Sequence, residues 1–343
     1  MGRRAGRLGL GLLTFVPDHT GGAAALEHGL RLVELAEDLG YDTAWVRVRH
    51  HEPFLSSPMT FFAAASQRTR RVHLGTGVIP MRYEDPLRLA EDAATVDLLS
   101  GGRLELGVSG GIPVTASVLD TVHGPSPRGF SGEAQHRTAL LRDALAGRAV
   151  GHAPDGFMSL PAGSDLRTTP HSPGLVDRLW YGAGSRASAA RTGEQGLHLQ
   201  VSTLNTEETG EPFDVAQAHQ VEAYRAARAA AGHGDGRVSA GRILLPQLDA
   251  RDEADHREFL DGYRSGMTAD GRPKGEGGPP MRFSPALAGR PDDLVEALLR
   301  DAALPLVDEL VVVLPANGPV EAHERILRAT AEDVAPHMGW KPA

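Results

Sequence analysis

The stretch from Val72 to Gly111 constrains the fold more than any other. Val72-His73-Leu74-Gly75-Thr76-Gly77-Val78-Ile79 is short, apolar and rich in β-branched residues, the composition of a buried strand. A turn, Arg82 to Pro86, follows, with a proline placed to open a helix. Leu87, Leu89, Ala90, Ala93, Ala94, Val96 and Leu98 then recur at helical spacing, and the run stops at Ser100-Gly101-Gly102-Arg103. Leu104-Glu105-Leu106-Gly107-Val108 reads as a second strand, closed by Ser109-Gly110-Gly111. Strand, helix and strand at this spacing form a βαβ unit, and its two strands must run parallel in one sheet.

The same alternation runs along the chain. Strands are expected at Leu8 to Phe15, Thr43 to Val48, Val72 to Ile79, Leu104 to Val108, Leu179 to Gly184, Leu197 to Val201, Val238 to Leu245 and Glu309 to Leu314. A helix is expected after each: Ala23 to Leu39, Met59 to Gln67, Leu87 to Leu99, Ser131 to Ala146, Ser185 to Gln195, Phe213 to Ala231, Pro291 to Ala303 and Pro319 to Pro336. This predicts an α/β chain folded as a (β/α)₈ TIM barrel in one domain over residues 1–343. Irregular insertions are expected at about 112–130, 148–175 and 249–290, with room for a short hairpin in the second and for a helix over Ala254 to Tyr263 in the third. A doubly wound sheet needs fewer strands, and the glycines after the first strand do not make its dinucleotide fingerprint.

Composition narrows the chemistry. With 44 acidic against 35 basic residues the formal charge is −9, which argues against nucleic acid as a partner. There is no cysteine, so thiolate metal sites and cysteine nucleophiles are excluded. No His-Glu-x-x-His spacing points to a metal. No apolar run is long enough to span a membrane, and no signal-like segment follows Met1, so a cytoplasmic protein is expected.

Several segments resemble the bacterial luciferase-like flavin monooxygenases: Val78-Ile79-Pro80, Pro86 to Glu91, Thr95-Val96-Asp97, the turn Leu98 to Arg103, and Leu106-Gly107. The Ser-Gly-Gly-Arg turn is the most specific of these. The resemblance implies a two-component enzyme that uses reduced FMN, supplied by a separate flavin reductase, and O₂ to oxygenate a small organic substrate. Hydride transfer with the deazaflavin F420 is the alternative within the superfamily, and a flavin-binding protein without catalysis is a third. A homodimer pairing through the second and third helices is implied too, and the apolar run Met59 to Ala65 fits that or ordinary core. The segment 249–290 is expected to act as a lid over the site.

Barrel active sites lie beyond the C-terminal ends of the strands, so the residues there are the candidates. Gly184-Ser185 at a helix start, with Ser188 one turn on, makes a phosphate cradle or simply a helix cap. The resemblance favours the cradle, with Gly182 beside it. Ser109 and Gly110 would help from the side. Relatives carry an arginine near Gly110, and Arg186 or Arg128 is the expected substitute. Thr76, Gly77 and Val78 would lie beneath the flavin ring, and Thr203 against it. His50 and His51 are the acid–base candidates, His50 preferred, with Arg49 where the family pattern has glutamate. Arg47 and Arg49 alternate along a strand, so one or both can face the barrel mouth, toward an anionic substrate group or a reduced flavin.

Overall fold

A computed structural model describes residues 7–17, 22–111, 116–155, 159–207, 209–268, 271–274 and 281–342. Its centre is a ring of strands: β1 (Gly9–Thr14), β2 (Thr43–Val46), β3 (His73–Thr76), β4 (Leu104–Ser109), β5 (Leu179–Ala183), β6 (His198–Val201), β7 (Val238–Pro246) and β8 (Glu309–Val313). Each pairs in parallel with the next in chain order, and β8 pairs back onto β1, which closes the eight-stranded TIM barrel. Helices α1 (Gly22–Asp38), α2 (Pro58–Arg68), α3 (Pro86–Ser100), α4 (Gly129–Leu145), α5 (Arg186–Glu194), α6 (Phe213–Ala230), α7 (Pro291–Arg300) and α8 (Val320–Ala329) follow the eight strands in turn. With helices outside and side chains inside, the strands are covered on both faces and carry long apolar runs.

The ends of α3 follow from local chemistry. The Asp85 carboxylate accepts hydrogen bonds from the Leu87 and Arg88 N–H groups, Pro86 occupies the first turn, and Gly101 takes the left-handed conformation (φ +73°) that ends the helix. The turn that follows is a clamp. Arg103, 8 % exposed, donates to the carbonyls of Ser66, Thr69, Val72 and Ser100 and to the Thr69 hydroxyl, at 2.7–3.2 Å. Asp97, fully buried, accepts from the Leu104 N–H (3.0 Å), the Ser172 hydroxyl (2.6 Å) and the Arg178 guanidinium (2.6 Å). The family-like segment thus locks α3 to the strand entries and to the chain before β5.

Inside the barrel, alternate residues stack in layers. Near the strand starts, buried Glu105 accepts from the indole N–H of Trp180 (2.6 Å) and pairs with Arg237 (2.5 Å) and His73 (3.0 Å). Glu309 accepts from the indole N–H of Trp45 at 3.3 Å. Trp45 and Trp180 meet edge to face at 5.4 Å and form the barrel's floor. Glycines make room for Trp45: a Cβ at Gly75 would lie 2.2 Å from its ring, and one at Gly11 would lie 3.1 Å from it.

The structure departs from the expected outline in three places. The third strand stops at Thr76 and resumes as Ile79–Pro80 beside β4, with a cis peptide between Gly77 and Val78. The first insertion contains a helix, Ala116–His123, whereas the second holds the short hairpin Gly151–His152 with Asp165–Leu166. The third carries the expected helix of Ala254 to Tyr263, lengthened to Ala250–Gly266 and capped by Asp249, and the strand Ala286–Gly289, which joins β7 in parallel. That helix buries Asp252, His256 and Leu260 and exposes most of its remaining residues, so its apolar periodicity is faint. Residues 269–270 and 275–280 of the expected lid lie outside the described residues.

Candidate active site

A cavity of about 760 Å³ opens at the C-terminal mouth of the barrel. Its walls come from the last inward residue of each strand and the loop beyond it: Leu13, Arg47, Gly77, Ser109, Gly182, Ser202, Gly241 and Val313, with Trp45 below. Glycine at these positions leaves flat backbone surface. A Cβ at Gly77 would lie 2.8 Å from Leu13 and one at Gly241 3.2 Å from Val313. A second cavity, about 860 Å³, lies outside the barrel between α6, the helix Ala250–Gly266 and α7. There Arg242 is already matched by Asp301 (2.7 Å) and Gln217 (2.9 Å). At the barrel mouth, His50 Nε2 and Arg49 Nε are buried without a hydrogen-bond partner among the described residues.

On one wall, β5 runs into α5 through Gly184 and Ser185. The Ser185 side chain accepts from the Ser188 N–H (3.2 Å), the Ser188 hydroxyl accepts from the Ser185 N–H (3.2 Å), and the two hydroxyls lie 3.0 Å apart. The helix-cap reading is therefore realised, and both serines also line the cavity. Arg191, three residues beyond Ser188 on the same helix face, lines it too. The expected substitutes do not. Arg186 donates to Glu211 (2.6 Å) while its backbone N–H is taken by Glu207 (2.8 Å), and Arg128 sits against Glu133 (3.3 Å). Tyr181 also lines this wall and accepts from the Gly110 N–H; a Cβ at Gly110 would sit 3.4 Å from its hydroxyl.

The facing wall is the end of β2. His50 is half-buried, and its Nε2 is buried with no hydrogen-bond partner among the described residues. Burial, and then the neighbouring His51 and His123, hold His50 below its ordinary pKa, so it is neutral at pH 7. His51 lies on the exposed rim with φ +62°. Arg49 approaches Glu52 at 3.6 Å, and its Nε is buried without a partner among the described residues. Arg47 continues the inward series Thr43, Trp45, Arg47 and stands above the indole floor. Burial, then Arg49, pulls its pKa down to about 10, which leaves it a cation at neutral pH.

Of the predicted site residues, Arg49, His50, His51, Gly77, Val78, Ser109, Gly110, Gly182, Gly184, Ser185 and Ser188 all line this one cavity. Thr76 and Thr203 do not. The Thr76 hydroxyl donates to the Gly107 carbonyl and accepts from the Gly107 N–H, both at 2.8 Å, bridging β3 to β4 where the backbone ladder fails. Thr203 turns away, its carbonyl accepting from Ser284 N–H (2.9 Å), and Ser202, Leu204 and Thr206 line the cavity in its place. Arg191, Tyr181 and Gln200 were not singled out from sequence. Helical spacing from Ser188 marks Arg191, and strand alternation marks Gln200.

A sequence profile described as luciferase-like monooxygenase matches residues 7–327. The chain belongs to the luciferase-like monooxygenase family. It is 42% identical over 117 residues to 4-hydroxyprotoasukamycin monooxygenase of Streptomyces nodosus subsp. asukaensis, covering 29% of this chain and 32% of that one. It is 27% identical over 233 residues to limonene 1,2-monooxygenase of Rhodococcus erythropolis, covering 61% and 59%. The match thus spans about a third and about three-fifths of these curated relatives' lengths. Among solved structures, monooxygenase RslO1 from Streptomyces bottropensis superposes with a TM-score of 0.73 at 21% identity, covering 96% of this chain and 100% of that one. The oxygenating constituent of 3,6-diketocamphane monooxygenase from Pseudomonas putida, in complex with FMN, gives 0.68 at 16% (96% and 99% covered). The coenzyme F420-dependent tetrahydromethanopterin reductase of Methanopyrus kandleri gives 0.68 at 19% (97% and 99%). These likenesses show a shared luciferase-like fold. Among the described residues no helix is long and apolar enough to cross a membrane, and no group of three metal-ligating side chains converges.

Proposed function

We propose that this luciferase-like protein is the oxygenase component of a two-component flavin monooxygenase, acting with reduced FMN from a separate reductase, O₂ and a small organic substrate. The observation that carries the reading is the division of the cavity. Serine hydroxyls and Arg191 gather on one wall, flat glycine and apolar surface lies between, and a neutral histidine stands opposite. A planar ring system with a phosphate tail fits that order. Ser185, Ser188 and Arg191 would hold the phosphate, and Gly77, Val78 and Gly182 would face the ring. When bound, reduced FMN supplies the two electrons that activate O₂. His50, neutral and with Nε2 free, would accept a proton from the substrate or return one to it. The enclosing loops would keep bulk water from the reacting atoms. The oxygenating constituent named among the similar folds supports the reductase partner. F420-dependent hydride transfer is the second reading, because an F420-dependent enzyme superposes as well as the FMN complex does. The reading includes a homodimer built on α3, whose outer face exposes Leu98 and Leu99.

The deciding experiment titrates the purified chain with oxidised FMN, reduced FMN and F420, then repeats it with Ser185→Ala and Arg191→Gln. The expected result is FMN binding that weakens about tenfold or more in either variant, the scale of a lost charge-assisted hydrogen bond. F420 binding without FMN binding would replace oxygenation by hydride transfer. Absence of binding to either would remove the flavin reading.

A further inference from the structure

Charge is unevenly distributed around the mouth cavity. Arg47, Arg49 and Arg191 line it, and among the described lining residues the one carboxylate is Glu52, whose side chain is 44 % exposed and sits beside Arg49. Arg191 lies on the wall of β5 and α5. Arg47 and Arg49 lie at the end of β2, three strands away around a ring of eight, so the two positive groups face each other across the mouth. A phosphate held by Ser185, Ser188 and Arg191 therefore leaves the two β2 cations with Glu52 as the one carboxylate against them among the described lining residues.

Arg47 is the sharper case. It is the third residue of an inward-facing set whose lower members, Thr43 and Trp45, are buried. It is half-buried on the cavity wall above the indole floor, its guanidinium makes no hydrogen bond or salt bridge to a described residue, and the opposite charge acting on it is that of Glu52. A guanidinium offers five N–H donors in a planar fork that matches the two oxygens of an oxyanion. Charges drawn out of water are ordinarily paired, so an inward, half-buried cation with no bonded partner among the described residues marks a place where a ligand can supply the counter-charge. The surrounding surface of Leu13, Val48, Val311, Val313 and Met281 is apolar and suits a hydrocarbon body.

We propose that Arg47, with Arg49 beside it, receives an anionic group of the organic substrate, a carboxylate or sulfonate carried on an apolar body. The assignment rests on reading the barrel mouth as the active site, and it narrows the substrate from any small organic molecule to an acidic one. It also gives the substrate a fixed orientation, with its anionic end at β2 near His50.

The test measures binding of acid and neutral isostere pairs, phenylacetate against phenylacetamide and octanoate against octanamide, by calorimetry. The full chain is used both free of FMN and saturated with it. At least one acid should bind about tenfold more tightly than its amide, with the methylsulfonate analogue of that body behaving like the acid. Arg47→Met should abolish the preference, Arg47→Lys should retain most of it, and neither should change FMN affinity more than about twofold. Equal affinity of acid and amide, no binding of any probe at millimolar concentration, or an unchanged preference in Arg47→Met would overturn the proposal. So would a loss of reduced-FMN affinity in Arg47→Met with the acid preference intact, which would make the flavin Arg47's partner. Failure of FMN to bind while the Arg47-dependent preference persists would remove the flavin reading and leave the anion site standing.

Discussion

At the scale of single residues, the barrel interior sets two carboxylates on opposite courses. Glu105 is held down to about 2, because His73, Arg237 and the Trp180 indole outweigh its burial. Glu309, buried to 7 % exposure, is pushed up to about 7, because burial outweighs its hydrogen bonds from Thr43 and Trp45. Its folded pKa lies above the ordinary 4.5, so the folded chain holds this proton more tightly than the unfolded one. The stability it lends is present at low pH and is lost as pH rises from about 4.5 through 7. Glu309→Gln keeps an acceptor for the Trp45 indole and cannot ionise. The variant should be more stable than the native chain at pH 8 by about 3 kcal/mol, since each tenfold difference in proton affinity between folded and unfolded chain is worth roughly 1.4 kcal/mol, and within about 1 kcal/mol of it at pH 5. Urea midpoints at the two pH values check this; parallel pH dependence in both proteins would contradict it.

At the scale of elements, the segment with the clearest family character serves the scaffold. Asp97 and Arg103 lie in the helix and turn before β4, bonded to backbone and to Arg178, with no group in the mouth cavity. Their spacing is legible because one tight turn must bring a carboxylate and a guanidinium to fixed carbonyl and N–H groups. Asp97→Ala leaves the Arg178 guanidinium and the Leu104 N–H without their acceptor. It should cost about 3 kcal/mol of unfolding free energy, the scale of a broken buried ion pair, with Asp97→Asn costing less. Denaturant unfolding measures both, and FMN affinity of the folded Asp97→Asn protein should stay at the native value. The same scale explains Thr76. A threonine beside two glycines looks like part of a ring-binding surface, but strand alternation turns its hydroxyl to β4.

At the scale of the whole molecule, the closed order of strands decides which residues share the mouth and which face outward. The run Met59 to Ala65, compatible in sequence with core or with a dimer contact, is core: Met59, Phe61, Phe62 and Ala65 are buried. The exposed apolar side chains of this region are on α3, where Leu98 is 50 % and Leu99 53 % exposed. A two-fold contact through them should be broken by Leu98→Glu with Leu99→Glu; light scattering should show the native mass of a dimer fall to that of one chain. A native monomer would end the dimer proposal. Sequence by itself determined the barrel and the strand ends that line its mouth cavity, because hydrophobic period and helix punctuation are local properties of consecutive residues. It also marked Ser185, Ser188 and His50, which stand beside strand ends. Tertiary structure alone decided that Arg191 faces the mouth while Arg186 meets Glu211, and that Arg47 and Arg191 oppose each other. It also decided that Trp45 needs Gly11 and Gly75 to make room for it. These are relations between residues far apart in the chain, fixed only when the sheet closes and each side chain meets neighbours from other strands.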